Sequence, residues 1–295
     1  MSKNLTVSAP AKLNLFLHIT GQREDGYHLL QTIFQFLDYA DTISLSLRDD
    51  GVINRISELK GVLADDDLVV KAAILLKQHC INQFGGSELG VDISVDKILP
   101  MGGGLGGGSS NAASVLVGLN HLWDCGLSQE ELMALGVQLG ADVPVFIFAQ
   151  SAWAEGVGER LEGVDLPEKW FLVIKPSINV STAKVFSNSQ LRRDCSTITI
   201  RDFLEGQTQS IQNIGNVCEK PVRAMYPEVD RALKDLAKYS EDGQAKLTGT
   251  GACVFAAFDN REKAEKALTE LSEKWDGFVA KGMNQSPLKE FFPTT

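Results

Sequence analysis

Residues 100–115 combine the features that a protein needs to bind an anion with its backbone. The segment reads PMGGGLGGGSSNAASV and contains six glycines within seven positions. Glycine lacks a Cβ atom, so backbone N–H groups can approach a phosphate closely, above all at the start of a helix. A flexible Gly/Ser linker is the alternative interpretation. The segments on either side distinguish the two.

The glycine-rich segment lies between a predicted strand and a predicted helix. Residues 91–96 (VDISVD) alternate apolar and polar side chains, which is typical of a strand with one buried face. Residues 111–126 place apolar side chains at helical spacing, and Gly126 is expected at the helix C-terminus. Because a linker needs no such flanks, this order favours an anion-binding loop. The helix N-cap is expected among Ser109, Ser110 and Asn111.

Other phosphate-binding templates fit this loop poorly. A P-loop requires a lysine after its last glycine, whereas Ser109 follows Gly108 here. A Rossmann loop follows a strand that is buried on both faces, with an acidic residue about 20 positions further on. The strand at 91–96 has one polar face, and Asp124 would lie in the last turn of the helix. The VAIK, HRD and DFG signatures of protein kinases are absent from the sequence. The pattern therefore predicts a glycine-rich loop that follows a strand of an antiparallel sheet.

Two charged residues could act on a phosphate held by this loop. In residues 8–20 (SAPAKLNLFLHIT), Lys12 and Asn14 share one strand face, while the leucines take the other. Asp142 lies in LGADVPVF, after a predicted helix C-terminus. Each has an ordinary alternative, an exposed strand lysine and a turn aspartate. Together with a phosphate site, they supply the carboxylate and the cation that phosphoryl transfer to an alcohol requires.

Composition and charge limit the class of protein. The chain of 295 residues carries a formal net charge of −10, which argues against a nucleic-acid partner or an anionic membrane surface. The N-terminus lacks an apolar signal core, no run approaches about 18 apolar residues, and the four histidines lack metal-ligand spacing. We therefore expect a cytoplasmic protein, either a monomer or a homodimer. Its cysteines form no C-x-x-C motif and are expected to be reduced: Cys80, Cys125, Cys195, Cys218 and Cys253.

The order of predicted elements indicates an α+β fold. Two strands and a helix precede the glycine-rich loop, and two helices follow it. The later elements are an apolar strand at 141–148, a hairpin at 153–161, a buried strand at 170–176, two or three helices, a strand–glycine–strand unit at 246–258 and a charged helix at 261–274. Strand runs and helix runs are segregated, as in α+β proteins. The length predicts two domains, which we expect at 1–162 and 163–295.

Four segments of the chain resemble motifs of the GHMP small-molecule kinases, a family that includes galactokinase and the homoserine, mevalonate and phosphomevalonate kinases. PAKLNLFLHITGQREDGYH is similar to the first motif, PMGGGLGGGSSNAA to the second and KLTGTGACVF to the third. The tail GMNQSPL is of the same type, so the resemblance runs in order from Ser8 to Pro287. This combination is far more specific than any single glycine pattern.

The resemblance implies two α+β domains with the site in the cleft between them, and it implies roles for residues at matching positions. Lys12 and Asp142 would be catalytic, with Lys12 polarising the substrate hydroxyl beside the acidic Asp142. The ATP phosphates would be bound by Pro100, Met101, Gly102, Gly103, Gly104, Leu105, Gly106, Gly107, Gly108, Ser109 and Ser110. The substrate would be bound by Asn14, Tyr27, His28, Val157, Thr182 and Phe186, with its base between aromatic rings and read by the histidine. ATP and Mg²⁺ are the implied cofactors, and a hydroxyl of Ser109 or Ser110 is a candidate Mg²⁺ ligand by analogy with other phosphate loops.

The DGYH form of the first motif is typical of the branch whose substrate is a cytidylated methylerythritol. The resemblance therefore implies transfer of the ATP γ-phosphoryl group to the 2-hydroxyl of that substrate, in the non-mevalonate route to isoprenoids. Another small alcohol, such as homoserine or a mevalonate derivative, is the alternative within the family. A nicotinamide oxidoreductase and a catalytically silent nucleotide-binding protein are alternatives from other classes, and the presence of both Lys12 and Asp142 disfavours the second.

The chain departs from the family pattern at two places. Asp66-Asp67-Leu68 replaces the frequent Asp-Asn-Leu, so Asp67 lacks an amide donor for a base. Residues 248–251 read TGTG where many members have a Ser-Gly-Ser-Gly sequence, which keeps the hydroxyl and glycine types.

Overall fold

Two long antiparallel strands form the centre of the protein. The computed structural model describes residues 3–59, 61–84, 89–205 and 215–293. Strands β1 (Asn4–Gln22) and β2 (His28–Arg48) pair along most of their lengths, joined by a turn in which Gly26 has a φ of 89°. Only glycine adopts such a backbone conformation without strain.

The remaining strands extend this pair into one mixed sheet. Their order along the main path is β3-β4-β2-β10-β7-β9-β8, with β1 and the β5–β6 hairpin also attached through β2. Their bounds are β3 (Ile53–Arg55), β4 (Gly90–Asp96), β5 (Ala152–Glu155), β6 (Arg160–Gly163), β7 (Trp170–Lys175), β8 (Lys246–Leu247), β9 (Val254–Phe258) and β10 (Asp276–Met283). The strand before the glycine-rich loop, β4, pairs antiparallel with β2, as predicted, and parallel with the short β3.

Within the described residues, the first half of the chain contains four α-helices that share an apolar cluster with β1, β2 and β4: α1 (Leu68–Phe84), α2 (Gly107–Leu122), α3 (Gln129–Leu139) and α4 (Val143–Phe148). The strand predicted at 141–148 is wrong, because residues 143–148 form α4. A short apolar run does not distinguish a buried strand from a buried helix by its periodicity. Pro144 lies in the first turn of α4, where its missing N–H removes no helical hydrogen bond.

The start of α2 also differs from the expectation. Gly106, with a φ of 73°, is the N-cap, so Ser109, Ser110 and Asn111 lie inside the helix. The Ser110 N–H donates to the Gly106 carbonyl at 2.8 Å. Glycine directs the chain into the helix through a left-handed conformation that serine adopts only with strain, so the helix begins before the serines.

Within the described residues, the second half of the chain contains five α-helices: α5 (Thr182–Phe186), α6 (Ile200–Glu205), α7 (Glu219–Met225), α8 (Pro227–Ala237) and α9 (Arg261–Leu271). Residues of α7, α8 and α9 form an apolar cluster with β7 and β9, and Leu17 and Ile19 of β1 belong to it. Val7 and Ala9 of the same strand belong to the cluster formed with α1 and α2. The α+β class is confirmed, and the division at 162/163 stays a prediction.

Two further sequence expectations concern the cysteines and membrane segments. Cys80 and Cys125 form a disulfide with Cα atoms 6.1 Å apart, a separation within the range that disulfides require. The expectation of reduced thiols is therefore wrong for this pair, because residues 45 positions apart are brought together by the fold. Cys195, Cys218 and Cys253 are free and buried. Within the described residues, no helix has both the length and the apolar character needed to cross a membrane.

Candidate active site

A buried lysine, an amide and a carboxylate meet at the wall of a cavity. The Lys12 Nζ atom lies 2.6 Å from the Asn14 Oδ1 atom and 3.2 Å from an Asp142 carboxylate oxygen. Lys12 and Asn14 are buried, whereas the Asp142 side chain is 38% exposed. The exposed side of the carboxylate can therefore meet a ligand while the buried side is paired with the ammonium.

The backbone of β1 positions Lys12 and Asn14 on one strand face, as the alternation predicts. Register shifts interrupt the pairing with β2 between Pro10 and Lys12, and again between Asn14 and Phe16. Such bulges redirect side chains next to active sites. The freed Lys12 N–H donates to the Leu105 carbonyl at 3.0 Å, which ties the strand to the glycine-rich loop.

The Asn14 amide is fixed by hydroxyl groups from two other elements. Its backbone N–H donates to the Thr248 Oγ1 atom at 3.1 Å, and its Nδ2 group donates to the Thr32 Oγ1 atom at 2.9 Å. Because Nδ2 has this acceptor, the Asn14 Oδ1 atom is oriented towards Lys12. The ammonium thus has a defined position even before a ligand binds.

Asp142 lies at the N-cap of α4, yet its side chain makes no capping hydrogen bond. The alternative of a turn aspartate that bonds its own backbone is therefore not what the structure contains. The carboxylate contacts Lys12 instead, and the preceding Gly140 carries the chain from α3 into this position.

The glycine-rich loop is packed against the loop at 248–253. A Cβ atom at Gly104 would lie 2.2 Å from the Thr248 carbonyl oxygen, and one at Gly103 would lie 2.5 Å from the Cys253 Sγ atom. The Cys253 N–H donates to the Gly103 carbonyl at 3.1 Å. Glycine is required at these two positions for the contact between the loops, whatever the loop binds.

A cavity of about 360 Å³ lies along the glycine-rich loop and the first turn of α2. It is lined by residues 100–109, by Leu59, Val62 and Leu68, and by Lys97. The N-terminus of α2 offers unpaired backbone N–H groups and the positive end of the helix dipole. The lining therefore combines apolar side chains with the N-terminus of a helix. Sequence reasoning missed Lys97, whose ammonium pairs with the buried Asp41 carboxylate of β2.

Asp67, at the edge of this cavity, is bound to the protein itself. Its carboxylate accepts from the Arg55 guanidinium at 2.7 Å and from the Val69 N–H at 3.1 Å. Each of its two oxygens therefore already accepts a hydrogen bond from the protein.

A second cavity, of about 340 Å³, shares Gly102, Gly104 and Ser109 with the first. Its lining brings together most of the predicted catalytic and substrate residues with the loop at 249–251: Lys12, Asn14, Asp142, Val157, Thr182 and Phe186. Thr182 and Thr250 both line this cavity, and their hydroxyl oxygens are 2.9 Å apart. A phosphate donor in the first cavity and an acceptor in the second would meet at the shared residues.

His28 and Phe186 form an aromatic wall beside the second cavity. Their ring centroids are 5.1 Å apart with an interplanar angle of 30°. The Arg193 Nε atom donates to the His28 Nε2 atom at 3.1 Å, a contact that sequence reasoning missed. Burial and the Arg193 charge lower the pKa of His28. Tyr27 is 64% exposed on the neighbouring turn, and neither Tyr27 nor His28 is among the residues that line the cavity.

Comparison with known proteins identifies the family. Residues 67–150 match the family model described as the GHMP kinases N terminal domain, and residues 192–277 match the one described as GHMP kinases C terminal. The chain belongs to the GHMP kinase family. The fold class and the glycine-rich motif predicted from the sequence agree with this GHMP kinase membership.

Individual relatives narrow the comparison. The chain is 51% identical over 290 residues to a protein of Hahella chejuensis named 4-diphosphocytidyl-2-C-methyl-D-erythritol kinase, covering 97% of this chain and 96% of the relative. A protein of Nitrosococcus oceani with the same name is 51% identical over 287 residues, covering 97% and 98%. A crystal structure of 4-(cytidine 5'-diphospho)-2C-methyl-D-erythritol kinase matches with a TM-score of 0.79 at 30% identity, covering 94% of this chain and 99% of that one.

A more distant GHMP kinase shares the fold alone. The crystal structure of homoserine kinase from Cytophaga hutchinsonii matches with a TM-score of 0.69 at 15% identity, covering 97% of this chain and 96% of that one.

Proposed function

We propose that the protein transfers the γ-phosphoryl group of ATP to the 2-hydroxyl of 4-diphosphocytidyl-2-C-methyl-D-erythritol. The observation that carries this proposal is the Lys12–Asp142 pair, 3.2 Å apart, in the wall of a cavity that adjoins the glycine-rich loop. The two relatives at 51% identity bear the name of this kinase and support the choice of substrate. This reaction belongs to the non-mevalonate route to isoprenoid precursors.

The pair has the chemistry that the reaction needs. The Asp142 carboxylate is an acceptor whose exposed side can take or orient the hydroxyl proton as the oxygen attacks. A lysine ammonium has three donors, and Asn14 and Asp142 account for two. The remaining donor can stabilise the negative charge that develops between the hydroxyl oxygen and the phosphoryl group.

Residues 100–110 are proposed to bind ATP, with backbone N–H groups of residues 101–109 holding the phosphates at the start of α2. Mg²⁺ prefers oxygen ligands and is often bound together with substrate phosphates. The Ser109 hydroxyl offers such an oxygen in the lining that the two cavities share, and it would hold the ion together with the ATP phosphate oxygens. Mg²⁺ would neutralise charge on the transferred phosphoryl group.

The cytosine ring is proposed to bind at the wall formed by His28 and Phe186, with Tyr27 closing over it from the exposed turn. Val157 and Thr182 line the cavity between this wall and Lys12, where the diphosphate and the diol would lie. We further propose that the protein is cytoplasmic and acts without nucleic acid, as a monomer or a homodimer.

A direct assay tests the proposed function. With ATP and Mg²⁺, the enzyme should phosphorylate the cytidylated diol, and CDP should inhibit competitively against that substrate. Homoserine and mevalonate serve as matched alternative alcohols and should not be phosphorylated. Turnover of either alternative without inhibition by CDP would contradict the proposal, and so would NAD(P) binding in a fluorescence titration without ATP-dependent transfer.

A further inference from the structure

We propose that Arg193 is a positioning residue that fixes His28 as a neutral imidazole with its proton on Nδ1, so that His28 presents a donor to the substrate's base. The position of His28 at the base rests on the proposed function, whereas the protonation of His28 does not. The two parts can therefore be tested separately.

The Arg193 guanidinium is held rigidly by the backbone between α5 and α6. Its Nη1 atom donates to the Leu191 carbonyl at 3.0 Å, and its Nη2 atom donates to the Phe186 carbonyl at 2.5 Å and to the Asn188 carbonyl at 3.3 Å. The Nε–H then points at His28, with a distance of 3.1 Å to Nε2. An arginine with these carbonyl partners has little freedom to move away from the imidazole.

Arginine can only donate hydrogen bonds, and this determines which ring nitrogen of His28 carries the proton. A guanidinium has five N–H donors, no acceptor, and stays protonated at any pH at which proteins fold. The His28 Nε2 atom must therefore offer its lone pair to the Arg193 Nε–H. A neutral imidazole has one N–H group, so the proton is on Nδ1. Hydrogen-bonding partners set histidine tautomers in the same way at metal sites.

Charge and burial act in the same direction. A positive group next to Nε2 opposes a second positive charge on the ring. Burial and the Arg193 charge lower the pKa of His28 from its ordinary value of 6.5. His28 therefore stays neutral around pH 7, and Nδ1–H remains its one donor on the ring.

Arg193 also joins the two aromatic groups of the wall. It bonds the His28 ring on β2 and the backbone carbonyl of Phe186 on α5, and the two rings are 5.1 Å apart. One cation thus fixes both the stacking surface and the hydrogen-bonding group beside it. A fixed donor at this place favours a base with ring acceptors, such as N3 and O2 of cytosine. It disfavours uracil, whose N3 carries a hydrogen.

Nuclear magnetic resonance of the full-length protein with ¹⁵N-labelled histidine tests the tautomer. The His28 signals are assigned by their loss in His28→Gln. We expect wild-type His28 to be protonated on Nδ1 and to titrate below 6.5. Arg193→Met should raise this pKa and populate the form protonated on Nε2. A wild-type His28 protonated on Nε2, or a spectrum unchanged by Arg193→Met, would overturn the proposal.

Kinetics then test the role in recognition. Arg193→Met should raise KM for the cytidylated substrate about tenfold, the effect of about one hydrogen bond, with the KM for ATP and kcat little changed. Arg193→Lys should restore little, because a point charge lacks the planar fork. The matched control is Arg192→Met, since that neighbouring side chain is 64% exposed and pairs with Asp194; its KM should equal the wild-type value.

The two tests separate the possible failures. If Arg193 only supported the turn after α5, KM would rise while the His28 tautomer stayed unchanged, and the proposal would be wrong. If no kinase activity were found, the proposed function would fail, while the spectra would still decide the tautomer. Where Arg193→Met does not fold, the wild-type spectrum and titration carry the same decision.

Discussion

Lys12 is a charged group in a place where folding alone would favour an apolar one. It is buried, and its partner carboxylate is partly in solvent. Removing a charge from water costs free energy that a pair recovers only with good geometry, and apolar replacements are often neutral or stabilising. Stability is therefore a weak reason for the presence of this ion pair, and a chemical role is a stronger one. Phe34, with its ring centroid 5.2 Å from the ammonium, adds an attractive face.

Asp142→Asn tests the carboxylate directly. The amide keeps the shape but loses the charge that accepts or orients the hydroxyl proton, so kcat should fall about 10²–10⁴-fold. ATP and CDP should still raise the melting temperature as they do for the wild type, because neither is proposed to depend on this charge for most of its binding. Near-normal turnover of the variant would contradict a catalytic role for Asp142.

Lys12→Met tests whether the two residues act together. The methionine keeps an apolar stem and removes the ammonium, so kcat should fall more than KM changes, since the charge it stabilises develops in the transition state. Residues that act as one unit have non-additive effects. The double variant with Asp142→Asn should therefore lose much less activity than the product of the two single losses. A fully multiplicative loss would show that the pair does not cooperate.

At the scale of elements, the errors of sequence reasoning have local causes. The sequence predicts a strand at 141–148, but a short apolar run suits either a strand or a helix, and residues 143–148 pack against α2 and α3 as the helix α4. The serines after the glycine-rich loop were expected at the helix N-cap. Gly106 takes that place because its φ of 73° is needed to turn the chain. Strand alternation in β1 and β4 was read correctly, since one face of each is consistently apolar.

Gly108→Ala is a cleaner probe of the phosphate loop than any substitution at Gly104. Gly108 lies inside α2 and lines the first cavity, beside the glycine-rich loop, and an added Cβ atom would meet only the Leu68 Cδ1 atom within 4 Å, at 3.6 Å. Alanine favours a helix over glycine by about 1 kcal/mol. The ligand-free melting temperature should therefore stay constant or rise, while the shift caused by ATP becomes smaller.

The matched control for this variant is Gly21→Ala in β1. There the added Cβ atom is 3.5 Å from the Leu29 Cδ1 atom, and Gly21 lines neither cavity. It should keep the full ATP-dependent shift. A Gly108→Ala protein with the same shift as wild type would contradict phosphate binding at this turn of α2.

The Arg55–Asp67 pair is expected to stabilise the start of α1. Both side chains are buried, and the Asp67 carboxylate also caps the Val69 N–H. Asp67→Asn leaves the buried guanidinium without its counter-charge, which should lower the free energy of unfolding by about 3–5 kcal/mol. Asp66→Asn is the control, because that side chain is 73% exposed and its ion pair spans 3.8 Å. It should cost less than about 1 kcal/mol in urea denaturation. Equal effects of the two variants would contradict a structural role for the pair.

Across the whole molecule, the site residues that can be predicted from the sequence are those marked by a local pattern. Lys12 and Asn14 share a face because of strand period, and the glycine-rich loop is recognised by its composition. Arg193 and His28 are 165 positions apart, and only the folded chain brings them together. Lys97, which follows β4, and Asp41 of β2 are 56 positions apart, and folding brings them together in the same way. No periodicity encodes such a contact.

The packing of β1 in two apolar clusters determines how we expect the protein to unfold. Val7 of β1 packs in the cluster with α1 and α2, while Leu17 of the same strand packs with α7 and α8. Because one continuous strand serves both clusters, neither half can lose its core without disturbing the other. We therefore expect a single transition in calorimetry, with equal calorimetric and van't Hoff enthalpies, although two domains are proposed at 1–162 and 163–295.

Leu17→Ala, at a cost of about 2–5 kcal/mol, should shift the entire transition, and so should Val7→Ala to a smaller extent. ATP should raise the midpoint of the whole transition in each variant. Two resolved transitions, with Leu17→Ala moving only one of them, would show that the two halves unfold independently.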